Sequence, residues 1–324
     1  MRHLVDEFKK LAHLSNLAVA IGWILCVAAL VIIHISSADA QYAIAITSYN
    51  AVAHPESQEQ LCDFLGEPIG PRCDAAQNEE IEFAQRFLDE TRDLYPLASA
   101  SLDPVGSGGI VAGFMASLIG VLVVAGIAGA HVGGEWGRGT VRQALSVDPR
   151  RPRFFVFKVL SVWAFGAGLL LASWLALVIA SPFLRDRYEV PPAPPGADFA
   201  TFTAQQILRA LVVIGVVAIL GTAVAVFVRG SIGTLGITAG IIIASFIATA
   251  SDSTFKLSPA YWVAAWMRFE PTTLWRDHLW VDRFPLVDPI EGFVPNQWAG
   301  LRGLVAFAAI TAVIGGLRLI RGDV

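Results

Sequence analysis

Six stretches of about twenty residues each, all without aspartate or glutamate, are long and apolar enough to cross the hydrocarbon core of a bilayer. They span residues 16–36, 108–130, 159–180, 207–228, 231–250 and 298–319. Within lipid the backbone finds no water to bond, so an open apolar segment of this length has to be helical. The composition agrees, because 55% hydrophobic and 15% charged residues make the chain too apolar for an ordinary soluble domain. The expected fold is an all-α integral membrane protein with six transmembrane helices. The first run follows Lys9 and Lys10 as a signal peptide would, but it is longer than a signal h-region and is read as a retained span.

Cations near the span ends set the orientation. Arg2, Lys9 and Lys10 precede the first span, and Arg138, Arg142, Arg150, Arg151, Arg153 and Lys158 join the second to the third. Arg229 joins the fourth to the fifth, while Arg318 and Arg321 follow the sixth. With an even number of spans all of these fall on one side, so both termini are expected in the cytoplasm. Arg185 and Arg187 go against the bias in a loop that also carries acidic residues.

The segment 37–107 is then an extracytoplasmic loop subdomain. In NEEIEFAQRFLDETRDLY, Ile81, Ala84 and Leu88 recur at helical spacing. Cys62 and Cys73 both lie in this loop, and in an oxidising compartment they would most simply pair as a disulfide. Two free thiols, or a metal site missing its other ligands, are the alternatives. The remaining outer segments are 181–206 and 251–297, and residues 320–324 form a cytoplasmic tail.

Catalytic machinery is not evident. No GxxxxGK[ST], HExxH or CxxC pattern occurs. Spans without carboxylates also suit an ion-coupled carrier poorly, since such carriers bind or relay their ion through intramembrane charges. Any energy the chain uses is expected to come from a partner.

The densest block of cations lies in the cytoplasmic loop 131–158, within EWGRGTVRQALSVDPRRPRFFVFK. Val141, Ala144 and Leu145 share one side of a helix there, with Arg138 and Arg142 four residues apart. The pattern predicts one short amphipathic helix over 135–145, ended by Pro149 and Pro152. A loop that only sets topology and touches anionic lipid would account for the charges, but not for their order. The order Glu135, Gly139, Thr140, Leu145, Ser146, Pro149, Arg153, Lys158 resembles the first cytoplasmic loop of ABC-2 type transporter permeases.

That resemblance implies that 135–145 is a coupling helix seated in a cleft of a separate ATPase. Glu135, Arg138 and Arg142 would then make the polar contacts and Val141 and Leu145 the apolar docking face, with Gly139 and Thr140 part of the same ATPase-coupling segment. Arg150, Arg151, Arg153 and Lys158 would hold the basic cytoplasmic face. By the same resemblance 1–15, with Leu4, Phe8 and Leu11 on one face, is the connecting helix before the first span. Trp262 and Trp266 suit a short helix in the outer interface and resemble the outer re-entrant helices found before the last span.

The function so implied is the permease subunit of an ATP-driven exporter in a bacterial cytoplasmic membrane, for which uncharged spans suggest a hydrophobic or amphipathic cargo. The chain itself does no bond chemistry and holds no cofactor, because ATP and Mg belong to the ATPase. Expected partners are that ATPase, a second copy of the permease and membrane lipid, with no nucleic acid. Two features depart from the family pattern. The first outer loop is long, and Gly137 and Gly139 weaken a coupling helix by roughly 1 kcal/mol each. The rival reading is an ATPase-coupled scaffold or mechanotransmitter whose outer loop binds an extracytoplasmic partner.

Overall fold

The computed structural model describes residues 14–53, 71–92, 102–147, 150–188, 199–248, 257–267 and 296–321, and every regular element among them is helical. In chain order these are α1 (Leu14–Ala53), α2 (Pro71–Arg92), α3 (Gly106–Ala116) and α4 (Leu118–Ala128). A π-helical turn (Gly129–Gly133), α5 (Gly134–Gly137), α6 (Thr140–Val147), α7 (Arg151–Tyr188) and α8 (Phe199–Val228) follow. The last three are α9 (Ser231–Ile247), α10 (Pro259–Met267) and α11 (Gln297–Arg321). Among the described residues, four helical stretches are long and apolar enough to cross a membrane: Leu118–Gly137, α7, α8 and α11. Shorter apolar helices occupy Ala18–Ile33, Gly106–Ala116 and Ser231–Ile247.

The apolar runs thus mark where helices form, while their ends and one interior point differ from expectation. α1 continues well past Ser36 because residues 37–53 are rich in alanine and contain neither glycine nor proline. Its 40 residues reach about 60 Å at 1.5 Å per residue, roughly twice the hydrocarbon thickness. α2 packs on α1, with Ala84 buried and Phe83 exposed. α7 begins at Arg151, so Pro152 sits in its first turn, where a missing N–H is harmless, and does not interrupt it.

The second run is not one continuous helix. Ser117 adopts an extended conformation (φ −69°, ψ 168°) between α3 and α4. Its hydroxyl donates to Phe114 O at 2.6 Å and accepts from Gly120 N at 3.4 Å, an N-cap set inside an apolar segment. A serine side chain therefore takes over backbone bonds that a continuous helix would make itself.

α8 is the central post, packed on α3, α4, α7, α9, α10 and α11. Its buried stripe includes Ala210, Val213, Ile214, Val217 and Ala218. On the far side of α7, Leu171, Leu175 and Ile179 are exposed along one stripe. An apolar stripe of that kind is unfavourable in water and natural against lipid.

α10 closes the end of the bundle where α8 begins. Trp266 Nε1 donates to Arg209 O at 3.1 Å, and Gln206 Nε2 donates to Met267 O at 3.2 Å. Arg209 lies over the Trp266 ring at 5.8 Å, and its Nη2 donates to Gln297 Oε1 at 3.2 Å. Trp262 packs on Phe307 with ring centroids 6.5 Å apart. Both indoles are half-buried within the chain, so α10 is held by packing and hydrogen bonds to α8 and α11.

Candidate functional site

The cation-dense loop forms at the other end of α8, about 30 Å from Arg209 on the helical rise over twenty residues. Beyond α4 the helix passes through the π-helical turn, which is rare and frequent at functional sites. α9 approaches this turn so closely that a Cβ on Gly133 would stand 2.8 Å from Gly230 O and 2.8 Å from Thr234 Oγ1. Only glycine lets the two backbones meet there. α5 then adds a single turn.

The expected single helix over 135–145 is in fact two. Gly139 has φ +74°, a left-handed conformation that ends α5 and redirects the chain into α6. Gly139 N bonds Trp136 O at 3.1 Å, Thr140 Oγ1 donates to Glu135 O at 3.1 Å, and Arg142 N returns to Gly139 O at 3.2 Å. Gly139 therefore serves as the corner between two helices. The helical penalty expected for it does not arise, because it lies in neither one.

Glu135 is not on the surface. Its Oε2 lies 2.6 Å from Lys158 Nζ, and the two side chains retain 7% and 2% of their exposure respectively. Expected as a docking contact and a basic surface group, these residues form an internal ion pair that joins α5 to α7. The cause lies in the helical phase of α7. Lys158 falls on the stripe of Phe155, Val162, Gly166 and Leu169, which faces the bundle, so its ammonium needs a buried counter-charge.

One turn deeper, His131 Nε2 lies 3.4 Å from Ser161 Oγ, while Ser161 Oγ donates to Lys158 O at 2.9 Å. A third contact faces the other way. Arg229, itself at φ +57° in the turn between α8 and α9, stacks over the Trp136 ring at 5.3 Å. α5 is thus gripped by α7 through Glu135 and by the α8–α9 turn through Trp136.

α6 presents the opposite character. Arg138, Gly139, Thr140 and Arg142 are exposed, together with Gln143, Ala144 and Ser146. Val141 and Leu145 are turned inward, 1% and 9% exposed, so the expected apolar docking face is covered within this chain. What the loop offers outward is polar and cationic.

The remaining cations divide. Arg150 and Arg153 are exposed, the latter over the Phe157 ring at 5.3 Å. Arg151 Nη1 donates to Leu319 O at 3.0 Å and Ile320 O at 2.9 Å, capping the C-terminus of α11 with a positive charge. Leu4, Phe8, Leu11 and Cys62 lie outside the described residues, and Cys73 falls in the first turn of α2.

His131, Ser161, Trp136 and Arg229 were not singled out as site residues by sequence reasoning. A signal existed for one group: an isolated lysine at the periodic positions of an apolar helix, as Lys158 is, demands a carboxylate partner near the same membrane depth.

Helices of this length and hydropathy, with lipid-compatible faces and an internal ion pair at one end, define an α-helical membrane protein. No family model, curated protein or solved structure matches the chain.

Proposed function

We propose that the chain is the membrane-spanning subunit of an ATP-driven exporter of the ABC-2 type, with six spans and both termini in the cytoplasm. Two copies form the path for a hydrophobic or amphipathic cargo, and separate ATPase subunits bind ATP and Mg beneath them in a bacterial cytoplasmic membrane. The observation that carries this reading is the buried Glu135–Lys158 pair. It turns a polar loop into a rigid fitting, so that a push on the exposed Arg138 and Arg142 of the loop is delivered into α7. The Trp136–Arg229 stack delivers the same push to the start of α9.

The roles within the loop are revised accordingly. Arg138 and Arg142 are the groups available to an ATPase, whereas Glu135, Val141 and Leu145 hold α5 and α6 to the permease. The test is Arg138→Glu with Arg142→Glu in the tagged full-length protein, purified from membranes with its partners. Insertion and helix content should match the parent, while the co-purifying ATPase is lost or its activity ceases to respond to cargo. A parent preparation without any nucleotide hydrolase, or a variant with undiminished coupling, would sink the proposal.

One observation favours the scaffold reading. α1 reaches about 60 Å and carries α2 along it, a projection beyond bilayer thickness suited to holding an extracytoplasmic partner. Movement of a labelled amphiphile across proteoliposomes separates the two, since a scaffold moves none.

A further inference from the structure

His131 is a buried titratable side chain for which neither the ion pair nor the exposed loop accounts. It keeps 6% of its surface and sits in the π-helical turn, four residues before Glu135. Ser161 stands likewise three residues after Lys158 on α7. Side chains at these spacings lie one above the other on a helix. The two segments therefore meet at two successive rungs, His131 to Ser161 at 3.4 Å and Glu135 to Lys158 at 2.6 Å. Ser161 Oγ also bonds Lys158 O at 2.9 Å, which ties the imidazole to the backbone of the lysine itself.

Few charges surround the imidazole. The π-helical turn packs on α4, α5, α8 and α9, and Ser161 brings α7 to it. α4 and α9 contain no ionisable residue, and α8 contains only Arg209, at the opposite end of the bundle. α5 supplies Glu135, with Arg138 at its end and Arg229 stacked on its Trp136. α7 supplies Lys158, while its Arg151 turns to α11, its Arg153 to Phe157, and its Asp186 lies near the far terminus. Among the described residues, Glu135 is therefore the one carboxylate within a turn of His131, and Lys158 already engages it.

We propose that His131 is a proton-operated release for the Glu135–Lys158 clasp. In its neutral form the imidazole adds a hydrogen bond to the ladder and no charge. A proton taken up from solvent on its second ring nitrogen places another cation one turn from Lys158, with a single carboxylate for both. Buried ions persist when they are paired, so the surplus charge is relieved by opening the contact and admitting water. α5 then comes away from α7 and its single turn frays. Acidity at the loop thereby sets how firmly the exposed Arg138 and Arg142 are tied to α7. This release depends on the ion pair and its neighbours alone, whether or not an ATPase engages the loop.

The test is amide hydrogen exchange of the full-length protein in lipid nanodiscs at pH about 8 and about 5.5, which bracket ordinary imidazole titration. Rates are divided by the intrinsic exchange rate at each pH, and the buried stripe of α8 around Val213 and Val217 serves as the internal reference. The reporters are the amides of Arg138 and Gly139, bonded to Gly134 O and Trp136 O. Their protection should fall at the lower pH by up to about tenfold per pH unit, the limit for uptake of one proton, while α8 keeps its own. His131→Gln can still bond Ser161 but takes no proton, and should leave the loop equally protected at both pH values. His131→Asn replaces it if that variant does not fold. Equal protection of the parent loop at both pH values overturns the proposal. So does a loss that persists in the glutamine variant, which would place the proton on Glu135. Simultaneous loss in α8 overturns it as well, being acid unfolding of the whole bundle.

Discussion

Removing one member of the Glu135–Lys158 pair strands the other charge inside the bundle. The side chains meet at 2.6 Å with only 7% and 2% of their surfaces exposed, so each supplies most of what the other lost from water. Truncating one partner of such a pair costs about 3–5 kcal/mol, whereas an exposed pair of similar geometry is worth about 0–1 kcal/mol. Glu135→Ala and Lys158→Met should each fall in the higher range. At about 1.4 kcal/mol per tenfold this is a loss of roughly two to four decades in the folded-to-unfolded ratio. Removing both charges together, as Glu135→Leu with Lys158→Met, should restore stability to within about 1 kcal/mol of the parent or exceed it, because the desolvation cost disappears along with the attraction. The assay is unfolding of the full-length protein by SDS in mixed micelles, followed by circular dichroism and arranged as a double-mutant cycle. The reasoning is refuted if either single change costs less than about 1 kcal/mol, or if the double variant loses the sum of the two.

Three further expectations are local. Gly139→Ala should destabilise by about 1–2 kcal/mol because of its φ of +74°, while Gly137→Ala, with open space around its Cβ position, should stabilise by up to about 1 kcal/mol. Shifts of the same sign in the same unfolding assay would count against a corner at Gly139. Arg151→Ala withdraws the donor from Leu319 O and Ile320 O at a cost of about 0.5–1.5 kcal/mol. Amides in the last turn of α11 should exchange faster while those of α7 hold, and unchanged protection would refute the cap. Trp266→Phe keeps a ring but loses the bond to Arg209 O, at about 1 kcal/mol. Proteolysis within α10 should quicken, and an equally resistant variant would mean that packing alone holds it.

Helix positions were largely legible in the sequence because a long apolar run in lipid has one backbone solution, and α8 and α11 lie close to where their runs were drawn. Ends were harder to read. Alanine-rich residues 37–53 extend α1, with Ala45 buried, and Pro152 reads as a breaker until the helix start is known. The break at Ser117 has no proline to announce it, and a serine in an apolar run usually bonds back within its own helix. In the loop, charge marks exposure for Arg138 and Arg142 but not for Glu135 and Lys158. The reason is that 23 positions separate the two, so their meeting depends on how α5 and α7 are rotated, and residue order alone does not contain that angle.

That angle is set in one place. In an α-helix each residue advances the direction of its side chain by about 100°, and the wider winding of Gly129–Gly133 accommodates one residue beyond the ordinary count. Winding the same five residues as a regular α-helix, with none deleted, would swing every later side chain by about a quarter turn. The carboxylate of Glu135 would then point away from Lys158 and the indole of Trp136 away from Arg229, with no contact residue altered. The π-helical turn is thus the phase setting of the loop, because the wider winding of that short glycine-bearing segment aims the side chains that follow it.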